Sequence, residues 1–277
     1  MPAERIAESL AFINWTVLTA LGVGSFVAVV AGRFLTAATK GYLAFTACCA
    51  AAFAALAFLA DGGLPPLSLE AVQPDPGWDA VRRYGLLTLT LAAGAYGVLV
   101  LRGNRAPAIA LIGLLGAAFA LLAGALSWGG GGLASLLLLV ELGSLAAALG
   151  GVFAAMILGH WYLVTPRLPE APLVRFARWL LIAIALQIGL FLLWLGLGAG
   201  PSGTPAFTAL TGEWALFVWL RLLVGLVFPL IVSWAAIQTA RTRSMESATG
   251  LLYINVGTIA AGTILAAGLY FGAGLLV

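Results

Sequence analysis

The sequence predicts an all-α, polytopic integral membrane protein, with about eight transmembrane helices in one bundle and both termini outside, on the periplasmic side. Three observations carry the expectation: composition, unbroken apolar runs and the distribution of charge among loops. The chain of 277 residues is 63% hydrophobic and 8% charged, with a mean hydropathy of +1.11, whereas soluble domains carry about 25% charged residues. Thirteen basic and ten acidic residues cannot cover a core of this size with a water-facing surface. Lipid must take that place, and in hydrocarbon only helices or closed barrels satisfy the backbone. Barrel strands alternate apolar and polar positions. Stretches such as Ala108 to Ala125 and Leu133 to Leu158 are almost continuously apolar, as spanning helices are.

The spans follow in order. A helix needs about 20 mainly apolar residues to cross, and eight segments qualify: Phe12 to Gly32, Tyr42 to Ala60, Tyr84 to Leu101, Pro107 to Trp128, Leu133 to Gly159, Phe176 to Ala199, Glu213 to Ile237 and Gly250 to Gly274. Between them lie turn signals: Gly62-Gly63 and Pro65-Pro66, the run Gly129 to Gly132, Pro166 with Pro169 and Pro172, and the stretch Gly200 to Gly212. Residues 61–83 form the one substantial extramembrane segment, a short extracytoplasmic loop whose Pro, Gly and acidic content suggests an ordered cap or a partner contact. Residues 1–277 otherwise read as a single transmembrane domain, and Met1 to Leu10, with Glu4, Arg5 and Glu8 before a full-length span, as lacking a removable signal peptide.

Lys and Arg near helix ends are held on the cytoplasmic side, which fixes orientation. Loop one holds Arg33 and Lys40, loop three Arg102 and Arg105, loop five Arg167, Arg175 and Arg178, and loop seven Arg241 and Arg243. The intervening loops hold Asp61, Glu70, Asp75, Asp79 and Glu213, with Arg82 and Arg83 as exceptions. The first set is therefore expected in the cytoplasm of a cell with the chain in its inner (plasma) membrane. The net charge of +3 has this topological cause, and nucleic acid is not an expected partner.

Lipid tails give no hydrophobic reward for helix association, so small residues that allow close backbone approach mark contacts. Gly268 and Gly272 in the last span and Gly143, Ala147 and Gly151 in the fifth have that spacing, and packing within the chain is favoured over a docking face for another subunit. Pro229 is expected to kink span seven. The adjacent Cys48 and Cys49 read as helix packing residues.

Ionisable residues at depth are costly unless paired, and therefore informative. Glu141 and Arg221 both fall about 12 Å from the outer ends of parallel helices, which permits an ion pair. Gln187 falls near the midplane, where an interhelical hydrogen bond is its expected role. Together Glu141, Gln187 and Arg221 are candidates for a buried polar site or proton route. Asn14 and Asn255 read as polar glue. His160, the lone histidine, opens His160-Trp161-Tyr162 at the inner end of span five. An interfacial aromatic belt explains the three residues. So does a quinone site, in which an imidazole near neutral pKa bonds a quinone carbonyl and aromatics pack on its ring. His160 and Glu141 lie about 28 Å apart along one helix and cannot form one compact site. After span seven, Arg241 to Thr249 sets basic residues beside hydroxyls, which suits ordinary cytoplasmic anchoring, or the holding of a lipid phosphate or an acidic partner.

One histidine cannot hold two haems by paired histidines, and no cysteine cluster, Walker loop or Ser-His-Asp set is present, so any redox centre is expected on a partner. Three functions remain. The first is a cofactor-free membrane subunit of an electron-transfer, respiratory-type complex, with possible quinone and lipid ligands and haem or iron–sulfur partner subunits. In outline, through helix number and an interfacial histidine with aromatics, the chain is similar to the eight-helix quinone-reactive subunits of the polysulfide-reductase type. The second is a secondary transporter with Glu141, Gln187 and Arg221 lining a midplane site, and the third a purely structural subunit.

Overall fold

Eight helices of the computed structural model are long and apolar enough to cross a membrane. The structure describes the chain apart from Ser68, Glu70, Ala71 and Pro166, so Glu70 and Pro166, named above as loop residues, lie outside the described residues. Among the described residues there is no strand. A short helix α1 (Pro2–Glu8) precedes α2 (Leu10–Leu35), α3 (Lys40–Asp61), α4 (Asp79–Leu101), α5 (Pro107–Trp128), α6 (Gly132–Val164) and α7 (Ala171–Leu197). The seventh span is composite: α8 (Ala215–Leu222), a π-helical stretch Leu223–Val227, and α9 (Phe228–Arg241). The last span is α10 (Met245–Ala273).

All eight expected spans are present, most of them longer than hydropathy alone suggests. Polar residues extend several helices past their apolar centres: α6 runs through His160, Trp161 and Tyr162 to Val164, and α7 starts at Ala171 and ends at Leu197 rather than at Ala199. Of the residues expected to form the loop 61–83, Asp61 closes α3, Asp79 to Arg83 belong to α4, and Pro76–Trp78 makes a 3₁₀ turn. The glycine run between α5 and α6 is required by its backbone, since Gly130, Gly131 and Gly132 all take positive φ (76°, 89° and 54°).

α2 is the most enclosed span and touches α3, α4, α5, α6 and α10. On one side α3, α4 and α5 pack as successive neighbours. On the other, α6 and α10 bind α2 and carry α7, α8 and α9. The junction is set by glycine: a Cβ at Gly24 would lie 1.8 Å from the Ala146 carbonyl oxygen, and one at Gly150 would lie 2.3 Å from the Ser25 nitrogen. A second close crossing joins α4 to α5 at Gly85 and Gly116, and a third joins the π-helical stretch to α10 at Gly225 and Gly262.

The small-residue stripes divide. Gly268 and Gly272 seat α1, with the Ile6 side chain against the first and the Arg5 backbone against the second. In α6 the contact stripe is Ala146 and Gly150, whereas Gly143 and Gly151 face open space with nothing within 4 Å of an added Cβ. Adjacent positions on a helix differ by about 100°, so a stripe one residue away points elsewhere.

Gly150→Ala is expected to lower stability by roughly 1–3 kcal/mol, because backbone cannot yield to an inserted methyl as a flexible side chain can. Gly143→Ala and Gly151→Ala should leave it unchanged or slightly raised. Thermal unfolding of the detergent-solubilised variants decides this, and equal melting temperatures for all three would contradict the assignment of the crossing.

Candidate functional site

The Glu141 and Arg221 side chains meet inside the bundle. Glu141 leaves the third turn of α6 and Arg221 the last turn of α8, and they are 4% and 2% exposed. Arg221 Nη2 lies 4.0 Å from Glu141 Oε1, at the outer limit of an ion pair, and Arg221 Nε donates to the Val277 carbonyl oxygen at 3.4 Å. Glu141 Oε1 has no hydrogen-bond partner among the described residues. The guanidinium rests where α8 passes into the π-helical stretch, and an added Cβ at Gly262 would come within 3.0 Å of Arg221 Nη1. Gly225 and Gly262 bring the two helices together, since an added Cβ at either would lie 2.6 Å from the other's Cα, and Gly262 also leaves room for this side chain.

Gln187 reaches the same helix by another route. Its Nε2 donates to Ser144 Oγ at 3.2 Å, and that hydroxyl donates to the Glu141 carbonyl oxygen at 2.9 Å. Gln187 therefore contacts the turn that carries Glu141, as an interhelical hydrogen bond between α7 and α6. Asn255 also joins helices: its Nδ2 donates to Ser233 Oγ at 2.7 Å and to the Pro229 carbonyl oxygen at 3.3 Å. The π-helical stretch ends at Val227, two residues before Pro229, where the ring removes an N–H from the ladder. Asn14 is exposed.

His160, Trp161 and Tyr162 are consecutive on α6 and point in three directions. Tyr162 is buried and donates to the Pro169 carbonyl oxygen at 2.6 Å. Trp161 packs its six-membered ring over Gly41 at the start of α3. His160 is exposed, with Nδ1 3.4 Å from the hydroxyl of Tyr253 on α10, itself 50% exposed. The aromatic partner of the imidazole is thus Tyr253, 93 positions away in sequence. No local signal points to it, because a lone tyrosine in an apolar span looks like any other.

Compared with family models, curated proteins and solved structures, the chain gives no match.

A third polar group occupies the opposite end of the bundle from the arginine-rich loops. Arg82 is 4% exposed, and its Nε donates to Asp61 Oδ2 at 2.5 Å while Nη1 donates to Asp79 Oδ1 at 2.7 Å and to Ser127 Oγ at 3.0 Å. Trp15 Nε1 donates to the same Asp61 oxygen at 2.9 Å, and the guanidinium sits 4.5 Å from the centroid of the Trp128 ring. Side chains of α2, α3, α4 and α5 are tied in one knot, above which lies a cavity of about 520 Å³. Asp61 and Arg82 face each other at the ends of adjacent antiparallel spans, so pairing across a loop is the signal that could have found them. Arg82 is thereby paired where it stands, its charge matched by Asp61 and Asp79.

The two buried ion pairs differ in completeness. Every nitrogen of the Arg82 guanidinium has a partner, the arrangement that makes a buried charge tolerable. Glu141 and Arg221 are held apart with one carboxylate oxygen unbonded among the described residues. Glu141→Leu should cost about 3–5 kcal/mol by leaving the Arg221 charge uncompensated, while Glu141→Leu combined with Arg221→Leu should recover most of that loss. Chemical unfolding in mixed micelles measures both, and additive losses in the double variant would show that the two side chains do not interact.

Proposed function

We propose that the chain is a cofactor-free, multi-pass subunit of an electron-transfer complex, and that a quinone meets it at His160 and Tyr253. The observation that supports this reading is the exposed imidazole and phenol 3.4 Å apart on the flank of α6 and α10. His160 lies about 6 Å from the end of its helix and Tyr253 about 12 Å from the end of its own, the depth of the interfacial zone. A quinone head group diffusing in the bilayer can reach such a pair sideways. Reduction of a quinone takes two electrons and two protons: a partner's haem or iron–sulfur centre would supply the electrons, and the His160 imidazole, which can hold a proton on either ring nitrogen, would pass protons to the reduced ring. Trp161 and Tyr162, offered with His160 by the sequence, would then support the helix end through Gly41 and Pro169.

The arginine-rich end faces the cytoplasm in this proposal, which puts both termini outside and the chain in the plasma membrane. Arginines at this end reach backbone carbonyls: Arg175 donates to Leu35 at the end of α2, Arg33 to Gly103 and Arg243 to Leu168. Single cysteines introduced at Arg105 and at Ser202, with Cys48 and Cys49 replaced by alanine, should react with an impermeant maleimide only at Ser202 in intact cells. Labelling of Arg105→Cys alone would invert the topology.

A second reading is a permease, favoured by the meeting of Glu141 and Arg221 beside a π-helical stretch, since π-helical turns gather at functional sites. One experiment separates the two. In the protein purified from its own membrane, His160→Ala and Tyr253→Phe should each lower quinone-linked turnover at least about tenfold, the usual yield of a positioned proton donor being 100-fold or more, and co-purifying redox subunits should be unaffected. Full turnover in both variants would remove the quinone site. A lone chain that moves a solute, with transport lost in Glu141→Gln, would establish the permease.

A further inference from the structure

The basic end of α7 carries a feature that neither reading of the function uses. Ala171, Val174, Arg175 and Arg178 on the first turns of α7, with Glu170 before them and Arg241 at the end of α9, line a cavity of about 310 Å³. Three guanidinium groups stand against one carboxylate, and that carboxylate is already shared with Arg243 Nη1 at 3.6 Å. Arg178 and Arg241 make no side-chain hydrogen bond or ion pair among the described residues, and both are exposed. The N-terminal turn of α7 adds its own positive end to the same place. An anion belongs here.

The same helix continues the site into the bilayer. Ala171, Arg175, Arg178, Ile182, Ala185 and Gly189 follow one another at steps of four and three, which places them along one face of α7. The first three line the basic cavity, and the last three line a groove of about 530 Å³ between α7 and α6, whose other wall includes Val140, Ser144 and Ala147. The groove is almost wholly apolar. It stays open because residues in its walls are small: Ala147 and Ala185 line it, and an added Cβ at Gly189 meets nothing within 4 Å. From Arg178 to Gly189 the stripe rises about 16 Å, most of the length of one acyl chain.

We propose that this face of α7 is a binding site for one anionic phospholipid, with its phosphate among Arg175, Arg178 and Arg241 and an acyl chain in the groove over Ala185 and Gly189. Guanidinium groups bind phosphate oxygens in pairs of parallel hydrogen bonds, and net charge selects the head group, since three arginines against one carboxylate leave positive charge that an anionic lipid neutralises and a zwitterionic one does not. The groove selects a lipid over a free anion, because only a lipid carries a chain that enters hydrocarbon at that point. The order along α7, cation first and open apolar groove second, matches the order along a phospholipid entering from the membrane surface.

Native mass spectrometry of the purified chain tests this, with phosphatidylglycerol, phosphatidylcholine and inorganic phosphate as separate additions. Phosphatidylglycerol should be retained and the other two not. Arg178→Ala combined with Arg241→Ala should weaken its retention roughly 30-fold, at about fivefold for each arginine near a membrane surface. Gly189→Leu should also weaken it, by filling the groove, while leaving the melting temperature within a degree or two. Equal retention of phosphatidylcholine, competition by inorganic phosphate alone, or unchanged retention in Gly189→Leu would each overturn the proposal. The readout is lipid retention by the purified chain, so the outcome stands whether or not the chain acts on quinone.

Discussion

Helices in hydrocarbon gain nothing from hiding apolar side chains from one another, and the whole bundle depends on what replaces that gain: backbone brought against backbone. At the crossing of α2 and α6 the replacement is complete, with Gly24 and Gly150 so close that neither could carry a methyl group, and with Ser25 Oγ donating to the Gly150 carbonyl oxygen at 3.5 Å. Because α2 also borders α3, α4, α5 and α10, this one approach joins the two halves of the molecule. The large aromatic residues then fill what is left. Phe12, Trp15, Trp128, Tyr270 and Phe271 form a chain of mostly edge-on contacts at one end, closed by the Tyr270 hydroxyl donating to the Trp128 carbonyl oxygen at 2.8 Å.

Polar groups in such an interior fall into two kinds. Those with every donor and acceptor matched fix helix positions and cost little to keep, as Arg82 does with Asp61, Asp79 and Ser127, or Asn255 with Ser233 and Pro229. Glu141 and Arg221 belong to the other kind. At 4.0 Å the pair retains attraction but gives up the short, directional contact that offsets desolvation, and the neighbouring backbone departs from α-helical pairing over Leu223–Val227. A bundle built only for stability has cheaper options at both positions, including two leucines. Retention of an incompletely satisfied charge beside a π-helical stretch is the physical reason to look for function there, alongside the interfacial His160.

The sequence shows clearly what depends on composition over long windows and poorly what depends on phase or on distant pairing. All eight spans are legible because about 20 apolar residues in a row have no other use in a helical protein. The approach of Glu141 and Arg221 is legible because equal depth on parallel helices leaves charges few other partners. By contrast Gly143, Ala147 and Gly151 look like a contact stripe, yet the contact belongs to Ala146 and Gly150, one residue earlier and about 100° around the helix. Hydropathy carries no such angle. His160 was visible as the lone histidine, but adjacency with Trp161 and Tyr162 misdirects, since neighbours in a helix diverge and the residue facing the imidazole is Tyr253.

The same rule bears on the open groove between α6 and α7. A glycine that makes no helix contact weakens a helix by about 1 kcal/mol relative to alanine, and Gly189, in the wall of the groove, is one of that class. Tolerating it there costs stability with no return inside the chain. The return must come from whatever fills the groove, and in a bilayer the filler at hand is an acyl chain. Arginines at the open end of the same helix face then decide which lipid that is, so a loss in helix propensity at one level becomes selectivity at the next.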